Sequence, residues 1–223
     1  MSTFFPMMVA CPACGHTEEQ TVAQSIHGPR LPAAVDDILS GRFQRVECTA
    51  CGVRFEMDAP LVFLDFDQKI WIAMYPRTWE SRWRQLEQET LESVRRNTVE
   101  KAPPVVKEMI QGFRIRTVFG LNALREKLLC FFNQLPDEAL EVLKLQIVRE
   151  VSGAGLSASQ KPRLIRLEDG QLHFELVAKG KPKSLALPRE RIDALILDPL
   201  SWTQAHSAVT GPAYVDLGRL GGS

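Results

Sequence analysis

Two Cys-x-x-Cys-Gly motifs carry the clearest chemistry in this chain, Cys11-Pro12-Ala13-Cys14-Gly15 and Cys48-Thr49-Ala50-Cys51-Gly52. A closed tetrahedral zinc site needs four ligands, and two such cysteine pairs supply four thiolates. Gly15 and Gly52 can adopt the positive φ that a tight turn around a metal ion requires. The motifs therefore predict one structural zinc site with the ligands Cys11, Cys14, Cys48 and Cys51.

Iron is the alternative metal, because four thiolates also suit a single iron ion and each motif resembles the knuckle of rubredoxins. Rubredoxins are small free-standing domains, whereas these motifs open a chain of 223 residues, so zinc is favoured over iron. The first ten residues lack the basic region of a secretory signal. That predicts a cytoplasmic protein, in which paired cysteine motifs bind a metal rather than form disulfides.

Three other groups of residues have chemical potential but favour ordinary roles. Asp65 and Asp67 share one face of a predicted strand, yet acidic residues beside a turn are commoner than an acid–base or metal pair. Cys130 is predicted to project away from the apolar stripe of its helix as an unreactive, packed or partly exposed thiol. His16 is expected to donate a hydrogen bond near the metal ligands or to lie at the surface. No histidine belongs to a catalytic motif, which favours a non-enzymatic protein.

The charge balance gives no general preference for nucleic acid or for acidic membranes. Lysine plus arginine equal aspartate plus glutamate at 27 each, so the formal net charge is zero. No apolar run approaches the roughly 18 to 20 residues that span a bilayer. Nucleic-acid binding, the first alternative function, would need a local basic patch. The candidate residues for such a patch are Arg42, Arg45, Arg54, Arg82 and Arg84.

The segments around the motifs predict a zinc ribbon that extends into an antiparallel sheet. A short helix over residues 35–41 ends at a glycine and separates the two ribbon strands. The runs 61–66 and 70–75 are rich in strand-forming residues and are joined by a polar turn. Residues 113–119 alternate between polar and apolar side chains and are predicted to return as a further strand of this sheet.

A long amphipathic helix of about five turns is predicted to begin at Thr78. Its stripe consists of Trp79, Trp83, Leu86, Thr90 and Val94. The tryptophans and the neighbouring arginines could stack on bases and contact phosphates, as in single-strand binders. Acidic residues interleaved with these arginines would repel phosphate, so a stripe that faces the core is the favoured interpretation.

The second half of the chain predicts a helical hairpin followed by a β-hairpin. Two runs of apolar residues at helical spacing flank Pro136. They are Leu121, Leu124, Leu128, Phe131 and Leu135, then Leu140, Leu143, Ile147 and Val151. The dipeptide Asp169-Gly170 predicts a two-residue type I′ turn, which pairs Leu167 with Leu172 and Ile165 with Phe174.

The two cysteine motifs and the strand pair that follows them resemble the CpXC family, over roughly residues 8 to 120. The resemblance implies zinc-type ligands at the same four cysteines and brings no activity with it. Thr49 replaces the proline that the family has in its motif, and threonine can still occupy that turn. Residues 121–223 lie outside the resemblance.

These patterns predict an α+β protein with two domains, residues 1–120 and residues 121–223. The first contains the zinc ribbon, the sheet and the long helix, and the second contains the helical hairpin and the β-hairpin. The predicted function is that of a non-enzymatic zinc-binding protein, a structural or protein-interaction module whose partner is another protein. Nucleic-acid binding and rubredoxin-like electron transfer are the alternatives.

Overall fold

Helices and sheets are both present in the computed structural model, which describes residues 2–96, 112–152, 161–178 and 181–221. The predicted α+β class is therefore confirmed. The chain divides into two units, Met1–Leu124 and Arg125–Ser223. Among the described helices, none is long and apolar enough to cross a lipid bilayer.

The first unit contains a five-stranded sheet and a separate two-stranded hairpin. The strands are β1 (Thr3–Ala10), β2 (Thr17–His27), β3 (Arg45–Glu47), β4 (Arg54–Glu56), β5 (Leu61–Asp65), β6 (Ile70–Tyr75) and β7 (Arg114–Phe119). The large sheet has the order β1-β2-β5-β6-β7, and β3 pairs with β4. The return of β7 to this sheet is confirmed.

The large sheet is mixed, so the prediction of an antiparallel sheet is wrong in part. Strand β2 runs parallel to β5, and β6 runs parallel to β7. Parallel neighbours need a crossover connection. Helix α1 (Pro32–Ser40) lies in the first connection and helix α2 (Trp83–Val94) in the second. Helix α1 ends as predicted at Gly41, which has a φ of 71°.

Helix α2 begins five residues later than Thr78, because Arg77–Arg82 form a 3₁₀ helix. With three residues per turn rather than 3.6, this segment moves Trp79 out of register with the α-helical stripe. Trp79 is 36% exposed, whereas the other four stripe residues are buried. The core-facing interpretation is therefore confirmed for Trp83, Leu86, Thr90 and Val94.

The C-terminal elements include the predicted helical hairpin and a sheet with one strand more than predicted. The helices are α3 (Leu121–Phe132), α4 (Asp137–Ser152), α5 (Glu190–Leu197) and α6 (Thr203–Val209). Strands β8 (Arg163–Glu168), β9 (Gln171–Ala178) and β10 (Lys181–Pro188) form an antiparallel sheet in the order β10-β9-β8.

The hairpin β8–β9 has the predicted turn but a different register. Asp169 and Gly170 have φ values of 50° and 70°, as a type I′ turn requires. Leu167 pairs with Leu172 as predicted, but Leu164 rather than Ile165 pairs with Phe174. The register shifts at Ile165, whose carbonyl oxygen accepts a hydrogen bond from Arg125 Nη2 at 2.9 Å. A bulge of this kind was not visible in the alternation of the strand.

A network of eight charged residues lies inside the second unit. Lys144 Nζ donates to Glu126 Oε1 at 2.8 Å and to Glu141 Oε1 at 2.9 Å. Lys127 Nζ pairs with Asp137 Oδ2 at 2.9 Å and with Glu141 Oε1 at 3.4 Å. These five side chains are at most 1% exposed. Helices α3 and α4 are therefore joined by ion pairs inside an otherwise apolar interface.

The same network also contacts the C-terminal segment, through Val215 and Asp216. Arg163 Nη1 donates to Glu126 Oε1 at 2.9 Å and to Asp216 Oδ2 at 2.8 Å. Lys161 Nζ donates to Asp216 Oδ1 at 2.8 Å. Backbone groups complete the network, since the carbonyl oxygen of Val215 accepts from Lys127 Nζ at 2.6 Å. The four negative and the four positive side chains of the network therefore balance one another in charge.

Removing one cation from this network should destabilise the protein strongly. In Lys144→Met, Glu126 and Glu141 lose a buried partner, and we expect a loss of about 3 to 5 kcal/mol in the free energy of unfolding. Arg191→Met is the matched control, because its ion pair with Glu150 is exposed and should contribute at most about 1 kcal/mol. Urea unfolding followed by circular dichroism measures both. Equal losses in the two variants would contradict the prediction.

Asp216 should make the stability depend on pH at the acid end. Burial raises the pKa of Asp216, but Arg163 and Lys161 outweigh burial and hold it well below its ordinary value. A lowered folded pKa contributes stability that is complete above the unfolded value of about 3.9 and is lost as the pH falls. The difference in unfolding free energy between the wild type and Asp216→Asn should therefore stay constant above about pH 5 and shrink below it. Urea unfolding at a series of pH values tests this, and a difference that does not change with pH would contradict it.

Candidate metal centre

Each cysteine motif forms the tip of a β-hairpin. The first motif follows β1 and precedes β2, and the second lies between β3 and β4. Each hairpin aligns its two strands antiparallel up to the motif, so the chain must reverse within the motif itself. The two tips therefore present their cysteines at the ends of supported strands rather than on long loops.

The two motifs have the same backbone geometry. The N–H of Cys11 donates to the carbonyl oxygen of His16 at 2.8 Å, and that of Gly15 donates to Cys11 at 2.9 Å. The second motif repeats this pattern, from Cys48 to Val53 and from Gly52 to Cys48, both at 2.9 Å.

The glycines of the motifs are needed for their conformation. Gly15 has a φ of 74° and Gly52 a φ of 72°, in the left-handed region. A Cβ atom at either position would meet nothing within 4 Å. The requirement is therefore backbone strain and not lack of space.

The structure brings all four predicted cysteines together. Their sulfur atoms all lie within 4.8 Å of one another. The Sγ atoms of Cys11 and Cys51 are 3.7 Å apart, as are those of Cys14 and Cys48. A tetrahedron with metal–sulfur bonds of about 2.3 Å has edges of about 3.8 Å, whereas a disulfide has an S–S bond of about 2.05 Å. The arrangement thus fits a four-coordinate ion, and its binding stays a prediction.

The electrostatics of the cluster favour a cation. Burial raises the pKa of Cys11, but the N–H groups of Cys14 and Ala13 and the nearby thiols outweigh burial and lower it to about 7. At Cys51 the N–H of Val53 lowers the pKa, and the other three thiols outweigh it and raise it to about 12. The Cys11 thiol thus ionises readily, whereas ionisation of Cys14 and Cys51 is disfavoured by the neighbouring thiols, and a bound cation would remove this obstacle.

The two hairpins are also held together by an apolar layer. Val22, Met57 and Ala59 are buried at its centre. Partly buried residues of both hairpins pack around them, namely Phe5, Met7, Val9, Val46 and Phe55. Because alternate residues of β1 face this layer, the first motif has a fixed orientation relative to the second.

Gln44 adds a polar connection between the hairpins. Its Oε1 accepts a hydrogen bond from the N–H of Ala23 in β2 at 2.8 Å, and its Nε2 donates to the carbonyl oxygen of Met57 at 3.2 Å. Gln44 itself has a φ of 52°, which directs the chain into β3. Sequence reasoning missed this residue, because its partners are remote in sequence.

Thr49 connects the tips of the two hairpins beside the sulfur atoms. Its Oγ1 donates to Glu18 Oε2 at 2.9 Å and lies 3.4 Å from His16 Nε2. His16 is exposed and belongs to the first motif's hairpin, while Thr49 belongs to the second. The predicted role of His16 as a hydrogen-bonding or surface residue agrees with this position. The sequence signal for this contact is the hydroxyl-bearing Thr49 at the position that Pro12 occupies in the first motif.

The other candidate residues form no second site. Asp65 is buried, and its Oδ1 accepts from the N–H groups of Asp67 and Gln68 at 3.0 and 2.9 Å, so it stabilises a turn. Asp67 is exposed. Glu126, Glu141 and Asp216 also lie close together, but the cations of the buried network already pair with them.

Cys130 is fully buried, which agrees with the predicted packed thiol. It lies off the predicted apolar stripe of α3, but this helix also buries charged side chains, so the stripe underestimates how much of the helix is buried. Burial raises the pKa of the Cys130 thiol well above its ordinary value. The predicted lack of reactivity agrees with that environment.

The region that contains the cysteine motifs matches a known protein family. Residues 9–144, more than half of the 223-residue chain, match the family model described as CpXC protein. The match includes both cysteine motifs and confirms the resemblance that those motifs indicated, but it extends to residue 144 rather than to the predicted end at residue 120. No curated protein and no solved structure matches the chain.

The Thr49 bridge should increase metal affinity by holding the two tips in place. Thr49→Val removes the hydrogen bond to the Glu18 carboxylate, so we expect the affinity for Co²⁺ to fall about tenfold, or about 1.4 kcal/mol. Thr49→Ser, which keeps the hydroxyl, should bind as the wild type does. Titration of the reduced protein with Co²⁺, read from the thiolate-to-metal absorption, measures the three affinities. Equal affinity in Thr49→Val and the wild type would contradict a bridging role.

Proposed function

The chain belongs to the CpXC protein family, and from that membership and the thiol geometry we propose that it is a non-enzymatic zinc-binding protein that acts as a protein-interaction module. The observation that carries the proposal is the convergence of four sulfur atoms from two hairpins. With all four ligands supplied by the protein, such a site has no open position for substrate or water. The metal then holds structure together rather than performing a reaction.

Zinc is proposed over iron because of the architecture around the site. The two hairpins share an apolar layer and are part of a larger unit. One cysteine of each motif, Cys11 in the first and Cys48 in the second, is buried. A redox-inactive ion suits a role in which the metal joins two hairpins. Reduced thiols are required for this role, and we therefore propose a cytoplasmic location.

The exposed side chains of the first hairpin support binding to another protein. Phe4 and Met8 are 50% and 61% exposed. They are four residues apart on β1 and therefore share its outer face. Large apolar side chains on one face of a rigid strand are typical of protein-binding surfaces.

Nucleic-acid binding is the less favoured alternative, because the predicted basic patch is mixed in charge. Arg42 pairs with Asp37 at 3.1 Å, and Arg54 pairs with Glu47 at 2.8 Å. The guanidinium groups of Arg82 and Arg84 lie over the rings of Trp79 and Trp83. Acids next to these arginines weaken any attraction for phosphate.

Metal content is the first test of this proposal. Freshly purified, reduced protein should contain one zinc ion per chain and be colourless. Cys48→Ser should lose most of the zinc and lower the thermal midpoint of the first unit, because it removes a ligand from the second hairpin. Cys130→Ser is the control and should keep its zinc, since Cys130 lies outside the cluster. Elemental analysis and thermal unfolding measure these quantities. A red, iron-containing protein or full zinc content in Cys48→Ser would contradict the proposal.

The interaction role is tested separately in the native cells. The full chain is cross-linked to its partners, and the cross-linked peptides are identified by mass spectrometry before and after nuclease treatment. The proposal predicts protein cross-links that persist after nuclease and at high salt. Recovery that depends on nucleic acid would favour the alternative function instead.

A further inference from the structure

The four cysteines of the cluster differ in their access to solvent. Cys11 and Cys48, the first cysteine of each motif, are 3% and 2% exposed. Cys14 and Cys51, the second cysteine of each motif, are exposed. The space beside these two is open, because a Cβ atom built on the glycine that follows each of them would meet nothing within 4 Å. A small solute can therefore reach one sulfur atom of each hairpin.

The two sulfur contacts of 3.7 Å each join an exposed cysteine of one hairpin to a buried cysteine of the other. Cys51 Sγ lies at this distance from Cys11 Sγ, and Cys14 Sγ lies at the same distance from Cys48 Sγ. Redox-sensitive cysteines have this arrangement, in which a solvent-accessible thiolate lies next to a second cysteine that can react with its oxidised form. The cluster therefore contains two such pairs, and both cross between the hairpins.

The hairpins are held together by contacts other than those of the sulfur atoms. The apolar layer around Val22 and Met57 packs residues of both hairpins. Gln44 forms hydrogen bonds to the backbone of Ala23 and of Met57. Loss of a bound ion would therefore leave the four cysteines near one another, and an oxidised sulfur would remain next to the cysteine of the opposite hairpin.

We propose that the cluster is also a modification site for hydrogen peroxide, at which Cys14 and Cys51 are oxidised and form disulfides with the buried cysteines of the opposite hairpin. The exposed thiolate attacks one oxygen of the peroxide, the O–O bond breaks, and the hydroxide that leaves is protonated to water. The buried thiolate then attacks the sulfenic sulfur, the S–S bond forms, and the S–O bond breaks as a second hydroxide leaves and is protonated.

Oxidation of both pairs would exchange the metal for covalent bonds. Each disulfide delivers two electrons to one peroxide molecule, so two peroxide molecules consume all four thiolates. A disulfide sulfur lacks the negative charge of a thiolate ligand, and bound zinc is therefore released. Reduction by a dithiol restores the four thiolates, as for the transient disulfides that occur in reducing compartments. The inference uses the proposed zinc site and does not depend on the proposed interaction role.

Peptide mass mapping of the full chain, after treatment with two molar equivalents of hydrogen peroxide, tests the pairing. Trypsin leaves both cysteines of the first motif on residues 1–30 and both of the second on residues 46–54. We expect these two peptides to be joined, with fragmentation showing one bond between Cys11 and Cys51 and one between Cys14 and Cys48. Cys130 is the internal control and should stay reduced, because it is buried outside the cluster. Two separate peptides, each with a disulfide inside its own motif, would overturn the inference.

Single variants test the same pairing with one cysteine removed. In Cys14→Ser, Cys11 and Cys51 should still be joined, and Cys48 should remain a free thiol. A bond between Cys48 and Cys51 in this variant would contradict the proposal. Cys11→Ser is the matched variant, in which Cys14 should join Cys48 and leave Cys51 free. Circular dichroism checks that each variant is folded, and the wild-type mapping decides the pairing for any variant that is not.

Zinc release and the fold are measured in parallel on the wild type. Peroxide should release one zinc ion per chain, read with a chromogenic chelator, and dithiothreitol followed by zinc should restore it. The oxidised chain should unfold at a midpoint at least about 5 °C above that of the reduced, metal-free chain, because two disulfides constrain the unfolded state. Peroxide that leaves the bound zinc and the four thiols unchanged would sink the inference. Protein purified without zinc would instead refute the proposed zinc-binding function, and the peptide mapping would still decide the pairing of the cysteines.

Discussion

The central constraint on the first unit is the mutual approach of four sulfur atoms from two hairpins. Cys14 and Cys48 are 34 positions apart, yet their sulfur atoms are 3.7 Å from each other. Thiolates at this distance repel one another, as the raised pKa of Cys51 shows, and a bound cation converts the repulsion into attraction. The apolar layer around Met57 and the hydrogen bonds of Gln44 hold the two hairpins close together. We propose that a metal ion bound to the four sulfur atoms connects the hairpin tips.

The second unit meets a related constraint with cations of its own chain. Its buried carboxylates at Glu126 and Glu141 are compensated by lysines of the same chain. Such ion pairs add little net stability compared with apolar packing, but they penalise any arrangement that leaves a charge unpaired. The network thereby fixes the position of Asp216 and of the C-terminal segment around it.

Local features could be predicted from the sequence, and features that depend on distant contacts could not. The cysteine knuckles, the Asp169-Gly170 turn and the Gly41 helix end are each determined by a few neighbouring residues. The parallel pairing of β6 with β7 and the contacts of Thr49 join distant segments, so no local pattern reports them. Hydrophobic periodicity treats charged residues as solvent-facing, which is why the burial of Glu126, Lys127 and Lys144 was not predicted.

The most direct measurement of the central claim is X-ray absorption at the zinc edge of the purified, reduced chain. The account predicts a first shell of four sulfur atoms at about 2.3 Å and no lighter ligand. A shell containing nitrogen or oxygen at about 2.0 to 2.1 Å, or the absence of a zinc edge from protein that is still folded, would contradict it.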